Sequence, residues 1–256
     1  MATGTLIQES AGWLHAARRQ ARAVPQPQGT AMSLQDAYAV QHAGIALRTQ
    51  AGEKRRGLKL GFTSRAKMVQ MGVADMIVGQ LTDAMQVADG NAFRRAGAIH
   101  PRVEPEVAFL LGEDLAAIDS AAALRRAVQA VACALEIIDS RYADFRFSLP
   151  DVVADNTSAC GFVLGVWREP PPGLDNLGMD LRIGGRTQAV GSSAAILGNP
   201  WRALEAAWRL ARLHGIGTPP GSVLLAGAAT AAEPLPQRGW VEVEVAHLGR
   251  AGFVVA

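Results

Sequence analysis

The sequence predicts an α+β fold, a helical front followed by a β-rich body, on three observations. Apolar residues recur at helical spacing over the first fifty or so positions. After Gly57 the pattern changes to short apolar runs bounded by glycine and turn residues, as strands require. The chain of 256 residues is 49% hydrophobic and 19% charged, enough apolar matter to bury a large core.

Residues 5–22 place Leu6, Ala11, Leu14 and Ala17 on one side of a first helix. VPQPQGT at 24–30 is a Pro/Gly loop. Ser33 and Asp36 form a capping-box pattern opening a second helix, which Leu34, Ala37, Val40 and Gln41 continue. Residues 1–56 thus make a helical N-terminal segment, and 57–256 a β-rich domain packed with it into one unit. GLKLGFT at 57–63 is a strand, SRAKMVQMG at 64–72 a short helix, and 76–90 a strand-like piece ending in an Asp89-Gly90 turn. RVEPEVAFLLG at 102–112 is the next strand. Residues 120–132, capped by Ser120, give the strongest helical pattern in the chain, and CALEIIDSRY at 133–142 returns to strand. ACGFVLGVW is a strand, MDLRIGGRTQAVG a hairpin with a Gly-Gly turn, and NPWRALEAAWRLARLHG a helix stopped by Gly215. Three strands, beginning at Gly221, Gly239 and Arg250, close the chain.

Bulk properties exclude several functions. A net charge of +2 offers no field for nucleic acid or a membrane surface. ARRQAR at 17–22 is the only basic cluster and reads as a solvated helix face. Cys133 and Cys160 lack metal or redox spacing and read as buried, inert thiols. The five histidines lack ligand spacing; only His100, just before the next strand, is of interest. No window approaches the ~20 apolar residues of a membrane span, and the first residues lack a signal-peptide layout. A cytoplasmic enzyme or binding protein is expected.

Carboxylates in apolar strands point to chemistry. Glu104 and Glu106 stand two apart, so alternation sends both to one face, where like charges repel. Glu136 sits in an equally apolar run. Three such groups are costly unless a cation neutralises them, and oxygen ligands suit Mg²⁺ or Mn²⁺. The alternative is an exposed stripe, the reading given to Glu242 and Glu244 in WVEVEV. Lys59, between two leucines, is either a snorkelling side chain or a cation aimed at an anionic substrate. Asp155, Asn156, Thr157 and Ser158 form either a turn or a pocket lining.

In order, GLKLGFTSRAKMVQMGV, LTDAM, HPRVEPEVAFLLG, ALEIIDSRYADFRFSLPDVVADNTSACGFVLG and LLAGAATAA resemble the 2-keto-4-pentenoate hydratase / 4-oxalocrotonate decarboxylase family. That family belongs to the fumarylacetoacetate hydrolase superfamily. TSRAKM and IDSRYADFRFSLPDVVADN resemble the decarboxylase branch, and Phe145 stands where hydratases usually carry Trp. Pro105 departs from the commoner Ala, and Asn199 stands where some relatives have His.

The resemblance implies a mixed β-roll or barrel of the superfamily's C-terminal type. It implies metal ligands at Glu104, Glu106 and Glu136, with Mg²⁺ or Mn²⁺ as cofactor. It implies catalytic roles for Lys59 and Asp83, and contact with the substrate carboxylate at Ser158. Asn156, in the same segment, and Leu60, Phe62 and Phe162, as an apolar wall, complete the expected substrate site. The implied reaction is decarboxylation of 4-oxalocrotonate, a 2-oxo dicarboxylate of meta-cleavage aromatic degradation, with 2-hydroxypenta-2,4-dienoate hydration as the alternative. A homo-oligomer and a complex with the pathway hydratase are the expected assemblies.

Overall fold

The computed structural model describes residues 3–27, 32–64, 68–69 and 75–256. The helix expected at 64–72 lies mostly outside the described residues. Two helices begin the chain, α1 (Gly4–Arg19) and α2 (Leu34–Gln50). The Thr3 side chain accepts from the Leu6 amide and the Ser33 side chain from the Asp36 amide, each satisfying an otherwise open first-turn donor.

The strands are β1 (Arg55–Gly61), β2 (Ile77–Thr82), β3 (Ala92–Phe93), β4 (Arg102–Leu111), β5 (Val128–Ile138) and β6 (Ala159–Leu164). They continue as β7 (Gly178–Ile183), β8 (Arg186–Ser192), β9 (Val223–Ala228), β10 (Glu233–Pro234), β11 (Gly239–Val245) and β12 (Gly249–Val255). Among them lie helices α3 (Ala121–Arg126), α4 (Leu149–Ala154) and α5 (Pro200–His214). One sheet runs β2-β1-β9-β4-β5-β6, with β10 paired to β4. A second runs β3-β12-β11-β7-β8. Strands β11 and β12 pack against β5 of the first sheet, and α5 packs on β9.

The first sheet has two unlike faces. Leu58, Leu60, Val103, Val107, Phe109 and Leu135 point to one side and join the main core. The opposite side begins with a small apolar floor, including Ala108, Ala134, Phe162 and Leu225. Register places the charged residues on this second face: Lys59 opposite Leu225, Glu106 opposite Ala134, and Glu136 between Glu104 and Phe162.

The strong helix expected at 120–132 is the clearest departure. Helix α3 ends at Arg126, and from Val128 the chain is strand, paired with β4 along its length. Val131, Cys133, Leu135 and Ile137 are fully buried on one face, Ala132 and Ala134 on the other. A run buried on both faces has no period that separates strand from helix, and the ladder with β4 overrides alanine's helix preference. The Gly-Gly hairpin, the Gly215 helix stop and the three closing strands form as expected.

Strand β9 carries one irregularity that matters below. Ala228 pairs with Glu106 but Leu225 with Ala108, so β9 holds one extra residue there, a bulge. Gly227 in this bulge has φ +110°, and an added Cβ would lie 2.0 Å from Thr63 Oγ1. Gly227→Ala is expected to cost about 2–5 kcal/mol through backbone strain and crowding, read as a lower urea midpoint with an unchanged m value.

Candidate metal centre and substrate cleft

Strand alternation and the Glu104–Glu136 pairing bring three carboxylates to one point. Glu106 and Glu136 are fully buried and Glu104 half-buried; one oxygen of each lies within 4.8 Å of the others. Lys59 arrives from β1 with Nζ 2.9 Å from Glu136 Oε1, and it donates a hydrogen bond to the Thr157 carbonyl at 3.1 Å. The bulge at Gly227 turns that residue's amide toward Glu106, donating to Oε2 at 2.6 Å. Glu106 Oε1 and Glu136 Oε2 are buried without a hydrogen-bond partner among the described residues.

Among the described residues one ammonium, that of Lys59, faces the buried carboxylates of Glu106 and Glu136 and cannot balance both. Burial lifts Glu106 well above the ordinary carboxylate range; the neighbouring Glu136 adds to the rise and Lys59 opposes it. Burial lifts Glu136 as well, against the pull of its partner Lys59. Burial disfavours the charge on Lys59, but Glu136, Glu104 and Glu106 together outweigh it and raise its pKa. Partnerless oxygens on buried carboxylates, all oxygen donors, fit a hard divalent cation such as Mg²⁺. Three protein oxygens would leave about three positions of an octahedron for water and substrate.

The wall facing Lys59 is built by an uncommon piece of backbone. Asn156, Thr157 and Ser158 all have left-handed φ, at 50°, 53° and 56°. Such a run costs energy and persists only when its surroundings hold it. The Asn156 side chain accepts from Gln80 N and donates to Gln80 O, each at 2.8 Å. Buried Asp155 pairs with Arg141, whose guanidinium also donates to the Asp139 and Ala159 carbonyls. From α2, Gln41 donates to the carbonyls of Val78 and Val153, tying the helix to both sides of this wall. The result aims the Thr157 carbonyl at Lys59 and leaves the hydroxyls of Thr157 and Ser158 buried beside the cleft, without partners among the described residues.

That cleft has a volume of about 510 Å³. Lys59, Glu104 and Ser158 line its polar part, and Phe62, Phe145 and Phe147 much of the rest. Three expected site residues, Asp83, Asn156 and Phe162, stand differently. Asp83 is exposed, beyond β2, its carboxylate accepting from the Lys54 and Ala84 amides. It lies four residues past Gly79, the partner of Lys59, roughly 13 Å away along an extended strand, so it cannot orient that lysine. Both ends of the Asn156 amide are used by Gln80, so this side chain shapes the wall and does not line the cleft. Phe162 shares the Glu136 face but is fully buried in the floor beneath. Leu60 lines the cleft, as expected for its wall, from a position that also joins the main core.

The sequence reading passed over Arg141, Gly227, the Thr157 carbonyl and Arg102, which lines the cleft mouth. Arg141 stood in view within DSRY, but nothing local signals a buried partner fourteen residues on. His100 stacks near Phe145, its ring centroid 4.6 Å away, outside the carboxylate cluster. Glu242 and Glu244 are partly exposed and lie within reach of Arg182, as their alternation predicted. Both cysteines are free, and burial raises the pKa of Cys133 to about 11 and of Cys160 to about 12. No helix among the described residues is long and apolar enough to cross a membrane.

A curled sheet carrying clustered acidic residues defines a class, and sequence comparison agrees. Residues 42–256 match the fumarylacetoacetate (FAA) hydrolase C-terminal family, and the chain belongs to that family. Within it, the chain is 50% identical over 233 residues to a 4-oxalocrotonate decarboxylase of Pseudomonas sp, covering 91% of each protein. It is 36% identical over 202 residues to a 2-keto-4-pentenoate hydratase of Paraburkholderia xenovorans, covering 77% of this chain and 74% of the relative. The solved structure of 4-oxalocrotonate decarboxylase from Pseudomonas putida G7, complexed with magnesium and adipate, superposes with a TM-score of 0.92 at 30% identity, covering 100% and 99% of the two chains.

The raised Glu106 pKa sets a pH dependence. An unfolded glutamate titrates near 4.5 and folded Glu106 well above it, so between these values the folded state holds the extra proton. Metal-free stability therefore falls as pH rises through that window. Glu106→Gln cannot titrate, so its thermal midpoint should gain on that of metal-free wild type as pH rises above 4.5. Added Mg²⁺ should stabilise the wild type more than the variant.

Proposed function

We propose that this chain decarboxylates 4-oxalocrotonate, (3E)-2-oxohex-3-enedioate, to 2-hydroxypenta-2,4-dienoate and CO2. The observation that carries the reading is the cluster of Glu104, Glu106, Glu136 and Lys59 at one side of a partly aromatic cleft. The 50% identical relative bears this activity in its name, and the superposed structure holds magnesium with a six-carbon dicarboxylate.

Glu104, Glu106 and Glu136 would hold a Mg²⁺ ion, which when bound supplies Lewis-acid electron withdrawal at a 2-oxo acid. The hydroxyls of Thr157 and Ser158 have no partner among the described residues and can donate to the C1 carboxylate. Breaking the C5–C6 bond releases CO2 and leaves its electron pair on C5. Conjugation through C3=C4 carries that charge to the C2 oxygen. Lys59, fixed between Glu136 and the Thr157 carbonyl, places a positive charge at this end and can give a proton to the C2 oxygen, forming the dienol. Phe62 and Phe147 present apolar surface to the cleft and offer no hydrogen-bonding group to position a water for addition to the diene. The protein is expected to work in the cytoplasm as a homo-oligomer associated with the hydratase that consumes its product.

With Mg²⁺ and 4-oxalocrotonate, the purified protein should release one CO2 per substrate. Consumption of 2-hydroxypenta-2,4-dienoate without CO2 release would instead establish the hydratase reading that the 36% identical relative suggests. Lys59→Met should lower kcat by about 10²–10⁴-fold, the usual scale for a lost acid–base group.

A further inference from the structure

A charged residue stands at the cleft where the chemistry proposed above requires none. Arg102 belongs to the same strand as Glu104, two residues nearer its start, and shares its face. It lines the same cleft. Two strand residues span roughly 7 Å. A six-carbon diacid spans about 6 Å between its carboxyl carbons, from five bonds near 1.5 Å each in a zigzag. An acid whose oxo end is bound at Lys59, beside the carboxylate cluster, therefore brings its other end within reach of residue 102.

The surroundings of Arg102 prepare it for an anion. Its guanidinium carbon lies 4.8 Å from the Phe145 ring centroid, a stacked placement that orients the planar fork. No carboxylate among the described residues forms an ion pair with it. Phe145 and the preceding Asp144 have left-handed φ, at 54° and 57°, and the Phe145 ring lies between Arg102 and His100. Behind that ring is a side pocket of about 300 Å³, which shares Arg102 and Phe145 with the cleft. Arg95 and His100 line it, with Arg95 Nε and His100 Nε2 buried and without partners among the described residues. Asp144 is the one acidic side chain in its lining, so the two arginines leave this corner positive.

We infer that Arg102, shelved on Phe145, binds the distal carboxylate of the dicarboxylate substrate and selects diacids over monoacids. The inference rests on the reading of the cleft as a 2-oxo dicarboxylate site. The arginine holds the carboxylate in the bound substrate and until the C5–C6 bond has broken, so the contact is shared by ground and transition states and serves capture and orientation. Its loss belongs in KM and not in kcat. The polar grip at one edge of an otherwise aromatic wall lets a dianion enter a cleft whose walls disfavour it.

The test uses the full chain with Mg²⁺ and two probes of equal length, adipate and hexanoate. Wild type should bind adipate about tenfold or more tighter than hexanoate, as a charge-assisted hydrogen-bonded pair implies. Arg102→Gln should weaken adipate by about 10- to 100-fold and leave hexanoate within about twofold, with Arg102→Lys between. In turnover of 4-oxalocrotonate the glutamine variant should raise KM by a similar factor, with kcat changed by less than about threefold. Equal losses for both probes, or unchanged adipate affinity, would overturn the assignment. Absence of CO2 release by the wild type, with adipate selectivity intact and dependent on Arg102, would sink the proposed reaction and leave the carboxylate site standing.

Discussion

Mutual repulsion among three carboxylates in a dry sheet face is the constraint on which this structure depends. Burial works against ionisation of both Glu106 and Glu136, and among the described residues Lys59 is the ammonium that offsets this in part. Everything near them offsets that repulsion in part. Lys59 neutralises one charge, and the Gly227 amide stabilises another. The remaining imbalance is what a divalent cation would remove. The same imbalance explains why the site sits above an apolar floor: side chains such as Ala108, Ala134 and Phe162 keep water out from beneath and keep the electrostatics strong.

Backbone strain does a second share of the positioning. Asn156–Ser158 adopt conformations that non-glycine residues avoid, and their neighbours hold them from three directions. Asn156 clasps Gln80, Arg141 anchors Asp155, and Gln41 reaches in from α2. The N-terminal helices are therefore part of the site's support. Tyr38 adds to this by accepting the Val78 amide through its hydroxyl. Strain held by three anchors fixes the Thr157 carbonyl better than a relaxed loop would, because no single thermal motion releases it.

The cleft divides its labour by polarity. Its inner side gathers charge, and its walls are in large part apolar, with Phe62, Phe145 and Phe147 among them. Decarboxylation and hydration share the first requirement, since both delocalise electrons onto the same oxygen. They diverge at the far end, where one reaction must lose a carboxylate and the other must admit water. The assignment of Arg102, on Phe145, to the distal carboxylate puts that difference at one named pair of residues.

Much of this was legible in the chain itself. Alternation alone put Glu104 and Glu106 on one face, turn residues marked the hairpin at 184–185, and Ser33 and Gly215 marked helix ends. These are local signals, carried by residues a few positions apart. The length of α3 was not legible, because a strand buried on both sides shows no period until its partners are known. Nor were the remoteness of Asp83, the structural duty of Asn156 or the burial of Phe162. Sequence determined which residues could carry charge and which strands they ride. Tertiary structure alone decided which of them meet, because pairing Glu104 with Glu136, bulging β9 at Gly227 and closing Arg141 on Asp155 are choices of register and contact between distant segments.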